Sequence, residues 1–220
     1  VLTTKKPEQL TVFAPFIDTA TQDRIEFPSI PVRGGLKGWQ TLASFQKLAL
    51  YMNSEMPSAF FATFDLHCTQ SQLIAQRMLN GTLVPTLIKA FKEQNDGKEI
   101  RFAFPDDGAF KRFKFYLEDG DRESAIWFNK ERDDDNRSVS TAGRVVEGAV
   151  YGIVDDMCRS GGTLSTVAAY LRARGASKVY AIVAHAPFET ETACKTHELD
   201  GFFVSNSCPL NAPPEYVQAD

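Results

Sequence analysis

With 220 residues, 43% of them hydrophobic and 24% charged, the chain is long enough to bury a sizeable core and too ordinary in composition for a disordered protein. It contains no apolar run near the length of a spanning helix and no basic-plus-apolar leader, so no membrane partner is expected. A net charge of −4 argues against nucleic acid as the main partner, because a phosphate backbone rewards a basic face, yet it leaves room for a small phosphorylated ligand.

Read in chain order, β-rich apolar runs alternate with helical patterns. The predicted strands are Leu10–Ile17, Ala59–Asp65, Glu99–Phe104, Ser124–Asn129, Ala149–Asp155, Lys178–His185 and Gly201–Ser205. Asn80-Gly81 and Pro85 punctuate the chain between the second and third of these. A domain boundary is therefore expected there, giving residues 1–85 and 86–220, the first part with too few strands to be complete. Gln94–Lys98 reads as a turn, and Glu131–Ser138 as a charged loop. After the fifth strand, Leu164, Val167, Ala168 and Leu171 recur at i, i+3, i+4 and i+7, one apolar stripe on a helix, and Gly175 marks its stop. Strand, loop, helix and strand in this order predict an α/β fold with mainly parallel sheets. Cys68, Cys158, Cys194 and Cys208 form no C-x-x-C pair, so a reducing compartment is expected, cytoplasmic or an organelle matrix.

The densest chemistry lies at the end of the fifth strand, Val150-Tyr-Gly-Ile-Val-Asp-Asp-Met-Cys-Arg-Ser-Gly-Gly-Thr163. In a parallel sheet, ligands bind at the carboxyl ends of the strands, which is where this loop falls. Gly161 and Gly162 let backbone N–H groups approach an anion, a helix start adds partial positive charge, and Ser160 and Thr163 add hydroxyls. Asp155 and Asp156 stand beside this phosphate cup, suited to sugar hydroxyls or a bound metal. The plain alternative is a tight strand-to-helix turn with no ligand.

This loop resembles the ribose-phosphate loop of the type I phosphoribosyltransferase superfamily. Other segments resemble one branch of it, the ribose-phosphate diphosphokinases or PRPP synthetases, in their plant-like class II form. Phe64-Asp-Leu-His67 is similar to that family's Asp-Leu-His segment. Phe102-Ala-Phe-Pro-Asp-Asp-Gly108 is similar to its Pro-Asp-x-Gly segment, and Lys130-Glu-Arg132 to the Lys-x-Arg of its catalytic loop. Ala14–Arg24 resembles the adenine-side segment, and Ala184–Phe188 a strand end. The order holds from about residue 10 to residue 208, whereas phosphoribosyltransferases proper share only the glycine loop.

What the resemblance implies is two phosphoribosyltransferase-like domains, with ATP and ribose 5-phosphate as substrates and Mg²⁺ as cofactor. Lys130 and Arg132 would stabilise the transferring phosphoryl group. Asp155, Asp156, Ser160, Gly161, Gly162 and Thr163 would bind ribose 5-phosphate. Gln22, Arg24 and His67 would serve the nucleotide, with His67 and Asp106 at the metal. Each has a plainer reading: His67 as a satisfied polar residue, Asp106 as a helix N-cap, and Lys130 with Arg132 as part of a solvated charged loop.

Thr21 stands where many members carry Arg, and Arg159 where the main class carries Asp. The chain opens on Val1, partway into the family's N-terminal domain, so it is expected to be a portion of a longer protein or a relative with an incomplete nucleotide pocket. Three functions follow: an active synthetase, as a homo-oligomer or with related subunits; an inert subunit of an assembly; and a PRPP-consuming transferase. The last lacks a segment suited to a base-binding hood.

Overall fold

The computed structural model describes residues 10–17, 44–67, 75, 77–132, 137–187, 198–208 and 217–219. The chain divides into two compact units, Val1–Gly81 and Thr82–Asp220.

The first unit holds strand β1 (Thr11–Phe13), helix α1 (Ser44–Glu55), β2 (Phe60–Phe64) and β3 (Met78–Gly81), the strands forming one parallel sheet in the order β1-β2-β3. Met52, Ala59 and Phe61 make a small core with Val12, Met56 and Met78 against it. Beyond β2 the chain bends at Asp65, a buried residue with φ 42, in the left-handed region that Asp tolerates better than most residues. Its N–H donates to the Gly81 carbonyl at 3.0 Å, and the Leu66 N–H donates to Asn80 Oδ1 at 3.1 Å. Strand β3 was not among the sequence expectations, because Met-Leu-Asn-Gly is too short and too mixed to carry a period-2 signal.

The second unit runs α2 (Val84–Gln94), β4 (Ile100–Phe104), α3 (Asp107–Phe113), a short 3-10 turn, α4 (Asp119–Glu123), β5 (Ile126–Arg132) and β6 (Arg137–Ala142). It continues with β7 (Val150–Met157), α5 (Gly162–Arg172), β8 (Lys178–His185), β9 (Gly201–Ser205) and β10 (Val217–Ala219). Its sheet has the order β10-β9-β8-β7-β4-β5-β6, parallel throughout except for the β5–β6 pair. Both faces are covered, which is why the central strands read as nearly unbroken apolar runs.

On one face α5 buries Leu164, Val167, Ala168 and Leu171, the predicted stripe, against Tyr151 and Ile153 of β7 and their neighbours. Leu164, Val167 and Leu171 each contribute about 1.5–3 kcal/mol by leaving water, and the single methyl of Ala168 less. On the other face α2, which carries a proline in its first turn, packs Phe91 edge-on to Phe102, Tyr180 and Phe203. That close approach depends on Gly152 in mid-β7: a Cβ there would lie 2.6 Å from Ile182 Cδ1 and 2.9 Å from Phe91 Cε1.

Two strand expectations move. The charged loop expected at Glu131–Ser138 is strand at both ends, where β5 continues to Arg132 and pairs antiparallel with β6 from Arg137, while 133–136 lie outside the described residues. Cross-strand backbone pairing overrides the low strand propensity of the Lys-Glu-Arg run. Strand β7 likewise extends two residues past the predicted Asp155, with Asp155↔Val183 and Met157↔His185 in register.

Candidate functional site

The extension of β7 matters because Asp155 and Asp156 lie inside the strand. Successive side chains of a strand point to opposite faces. Val150 and Val154 belong to the core under α2 and α3, and Tyr151 and Ile153 to the core under α5. Continuing the alternation puts Asp155 on the α5 face and Asp156 on the α3 face. The two carboxyl groups nonetheless interact at the strand end, Asp156 acting on Asp155 through both its charge and a side-chain hydrogen bond.

Asp156 is 5% exposed, and its Oδ2 meets Nη1 of Arg112 on α3 at 2.9 Å. The Arg112 guanidinium also lies 4.7 Å from the centroid of the Phe113 ring. Arg112 was missed from the sequence, where it looks like half of a surface Lys-Arg pair. The available signal was its helical spacing: it stands three residues after buried Ala109 and beside buried Phe113.

Asp155 keeps some solvent contact at the residue level, but its carboxyl is set deep enough that burial pushes its pKa well above the usual carboxylate range. The neighbouring charges of Asp156 and Asp106 push the same way. The Asp156 N–H, donating to Asp155 Oδ1 at 2.9 Å, opposes them in part.

Past β7 the Cys158 N–H donates to the His185 carbonyl at 2.8 Å, tying the turn to β8. Arg159 and Ser160 are exposed, Gly161 is buried, and α5 begins at Gly162. Gly161 occupies the N-cap position with φ 72, a conformation costly for any residue with a Cβ. Having no side chain, it cannot cap the first N–H groups of α5, which suits them to an incoming anion. Thr163 is exposed in the first turn of that helix.

Asp106 precedes α3 in an extended conformation, and its Oδ1 accepts from the Ala109 N–H at 2.9 Å. It is thus a helix N-cap, and its charge is also felt at Asp155. The backbones of Lys130 and Arg132 lie in β5 opposite Val139 and Arg137. His67 is exposed, two residues after the bend at Asp65 in the first unit. Gln22 and Arg24 fall outside the described residues. Among the described residues, no group of three His, Cys, Asp or Glu side chains is assembled for a metal.

The carboxyl edge is further fixed by a buried polar knot. His185, 1% exposed, shares a 2.6 Å hydrogen bond between Nδ1 and Ser207 Oγ, and the Ser205 hydroxyl donates to the Ala184 carbonyl. A cleft lined by Arg144, Glu147, Tyr170 and Arg174 opens toward the other end of α5 and holds none of the predicted site residues.

Comparison with known proteins identifies what carries such a strand, turn and helix. No family model matches the chain. A spinach (Spinacia oleracea) protein named mitochondrial ribose-phosphate pyrophosphokinase 3 is 34% identical over 224 residues, covering 91% of this chain and 51% of the relative. Ribose-phosphate pyrophosphokinase 4 of Oryza sativa subsp. japonica is 31% identical over 211 residues, covering 90% of this chain and 62% of the relative. The chain is a relative of the ribose-phosphate pyrophosphokinases.

The pyrophosphokinase likeness extends to the fold. The crystal structure of phosphoribosylpyrophosphate synthetase from Mycobacterium smegmatis superposes with a TM-score of 0.76 at 19% identity, over 96% of this chain and 67% of that one. The chain spans about half the length of the curated pyrophosphokinases it matches. No helix among the described residues is long and apolar enough to cross a membrane.

Proposed function

We propose that the chain works as a ribose-phosphate diphosphokinase, joining ribose 5-phosphate and ATP to give PRPP and AMP. The observation that carries this is the β7 end: a buried acid pair, a left-handed Gly161 and an uncapped start to α5, in a chain similar to pyrophosphokinases along most of its length. The 5-phosphate would sit against the N–H groups of Gly161, Gly162 and Thr163 and the Ser160 hydroxyl, where helix dipole and backbone donors favour an anion. Asp155 would accept from the sugar hydroxyls. The C1 hydroxyl oxygen then bonds to the β-phosphorus of ATP as the bond from that phosphorus to the bridging oxygen of AMP breaks, and the hydroxyl proton leaves to solvent.

Charge in such a transfer spreads over phosphoryl oxygens, so most of the catalysis is positioning and cationic stabilisation. Lys130 and Arg132 are assigned that task. Gln22, Arg24 and His67 are assigned to the nucleotide. Bound Mg²⁺ would neutralise phosphate charge. Asp106 with Asp155 nearby suits it, since a hard cation that keeps several waters needs only one or two carboxylates beside the substrate phosphates. His67 joins that assignment through its Asp-Leu-His segment. We assign the protein to an oligomer, and to a reducing compartment because Cys68, Cys158, Cys194 and Cys208 form no C-x-x-C pair.

The test is AMP and PRPP formation from ribose 5-phosphate, ATP and Mg²⁺, with Lys130→Ala as control. Turnover in the parent chain and a fall of about 10²-fold or more in the variant, at little change in ribose 5-phosphate affinity, is expected. A chain that binds ribose 5-phosphate but forms no AMP would instead be the inert subunit of an assembly.

A further inference from the structure

We propose that Arg112 is a positioning residue for the sugar site. It holds Asp156, and with it the end of β7, against α3, so that the adjacent aspartates divide the work: Asp156 anchors the strand end and Asp155 meets the sugar. This rests on the ribose 5-phosphate site proposed above.

The division follows from strand geometry. Two neighbouring residues of one strand leave the backbone toward opposite faces, even where, as at Asp155 and Asp156, their carboxyl groups stay close enough to share a hydrogen bond. Asp155 shares the face of α5, whose first turn carries the candidate phosphate-binding N–H groups. Asp156 shares the face of α3, and there it meets Arg112 at 2.9 Å, with the two side chains 7% and 23% exposed. A buried carboxylate requires a partner, and a guanidinium stays charged at any working pH and offers a rigid fork.

The pair also joins two segments that are separate in sequence. Asp106 caps the start of α3, the helix that carries Arg112, while Asp156 stands five residues before Gly161. Stability alone explains such a pair poorly, because apolar residues of similar volume often replace a buried ion pair with no loss.

The experiment is a double-mutant cycle on the full chain, read by calorimetry as separate dissociation constants for ribose 5-phosphate and for Mg²⁺–ATP. Arg112→Met and Asp156→Asn are each expected to weaken ribose 5-phosphate about tenfold or more, with the double variant no worse than either single one, the mark of residues acting as a unit. Mg²⁺–ATP affinity should stay nearly constant. Arg112→Lys, which restores the charge without the fork, should recover part of the loss. It also carries the test should Arg112→Met fail to fold.

Two results overturn the assignment: ribose 5-phosphate affinity untouched by both single variants, or losses that multiply in the double one. Failure of the underlying site looks different, because the parent chain itself would then bind no ribose 5-phosphate, and the role of Arg112 falls with it.

Discussion

Placing a methyl or isopropyl group at Gly152 tests the face assignment on which the site depends. Gly152, Val154 and Asp156 alternate with Tyr151, Ile153 and Asp155 along β7, and Gly152 lies under Phe91 of α2. A Cβ at 152 would meet Phe91 Cε1 at 2.9 Å and Cζ at 3.2 Å, besides Ile182 Cδ1 at 2.6 Å. The isoleucine terminus can swing aside. The Phe91 ring cannot easily do so, since it is 0% exposed and wedged among Phe102, Tyr180 and Phe203. Overpacking of this kind costs about 1–3 kcal/mol. Gly152→Ala should therefore fall near the low end and Gly152→Val at or above the high end. Urea unfolding followed by tryptophan fluorescence and circular dichroism measures both, with an unchanged m-value separating lost stability from a changed denatured state. If Gly152→Val unfolded within about 0.5 kcal/mol of the parent chain, as an ordinary surface change does, Gly152 would not face α2. The placement of Asp156 on the α3 side would be lost with it.

Gly161→Ala should cost about 1–2 kcal/mol of stability, because a Cβ is strained at φ 72, and should weaken ribose 5-phosphate by more than it weakens Mg²⁺–ATP. Equal weakening of both ligands would argue against a phosphate role for the turn. Asp155 gives a pH prediction. Its pKa is raised in the folded chain by burial first and by Asp156 and Asp106 next, so over that interval the folded state binds more protons than the unfolded one. Stability then falls as pH rises from the ordinary Asp value toward the raised one, by at most about 1.4 kcal/mol per pH unit from this group. Asp155→Asn, compared with the parent chain in chelator by urea unfolding, should remove that decline and be the more stable of the two at neutral pH. A parent chain that gains stability relative to Asp155→Asn as pH rises would refute the burial of that carboxyl.

Much of this was legible in the sequence because it rests on local rules. The stripe Leu164, Val167, Ala168 and Leu171 needs only helical periodicity, and the apolar runs of β4, β7, β8 and β9 follow from a sheet covered on both faces. The glycine turn was legible for a chemical reason: Ser-Gly-Gly-Thr after two acids limits both conformation and ligand. What escaped depends on long-range pairing. Lys-Glu-Arg looks like a solvated loop until β6 is laid beside it, and only that pairing makes residues 126–132 a strand. The ion pair of Arg112 with Asp156 spans 44 residues, so helical spacing can set Arg112 apart from Lys111 but cannot name its partner. The strand end shows the same limit. Two aspartates in succession read as a pair at the start of a loop, whereas two more residues of β-pairing place both inside the strand, where their carboxyl groups still interact.

Calorimetric titration of ribose 5-phosphate into the full chain, beside unphosphorylated ribose, tests the central claim most directly, because it asks only about the β7 end and not about a complete nucleotide site. Saturable binding of ribose 5-phosphate, much weaker binding of ribose, and loss of both in Asp155→Asn is the expected result. No binding, or equal binding of the two sugars, would contradict a ribose-phosphate site at this turn.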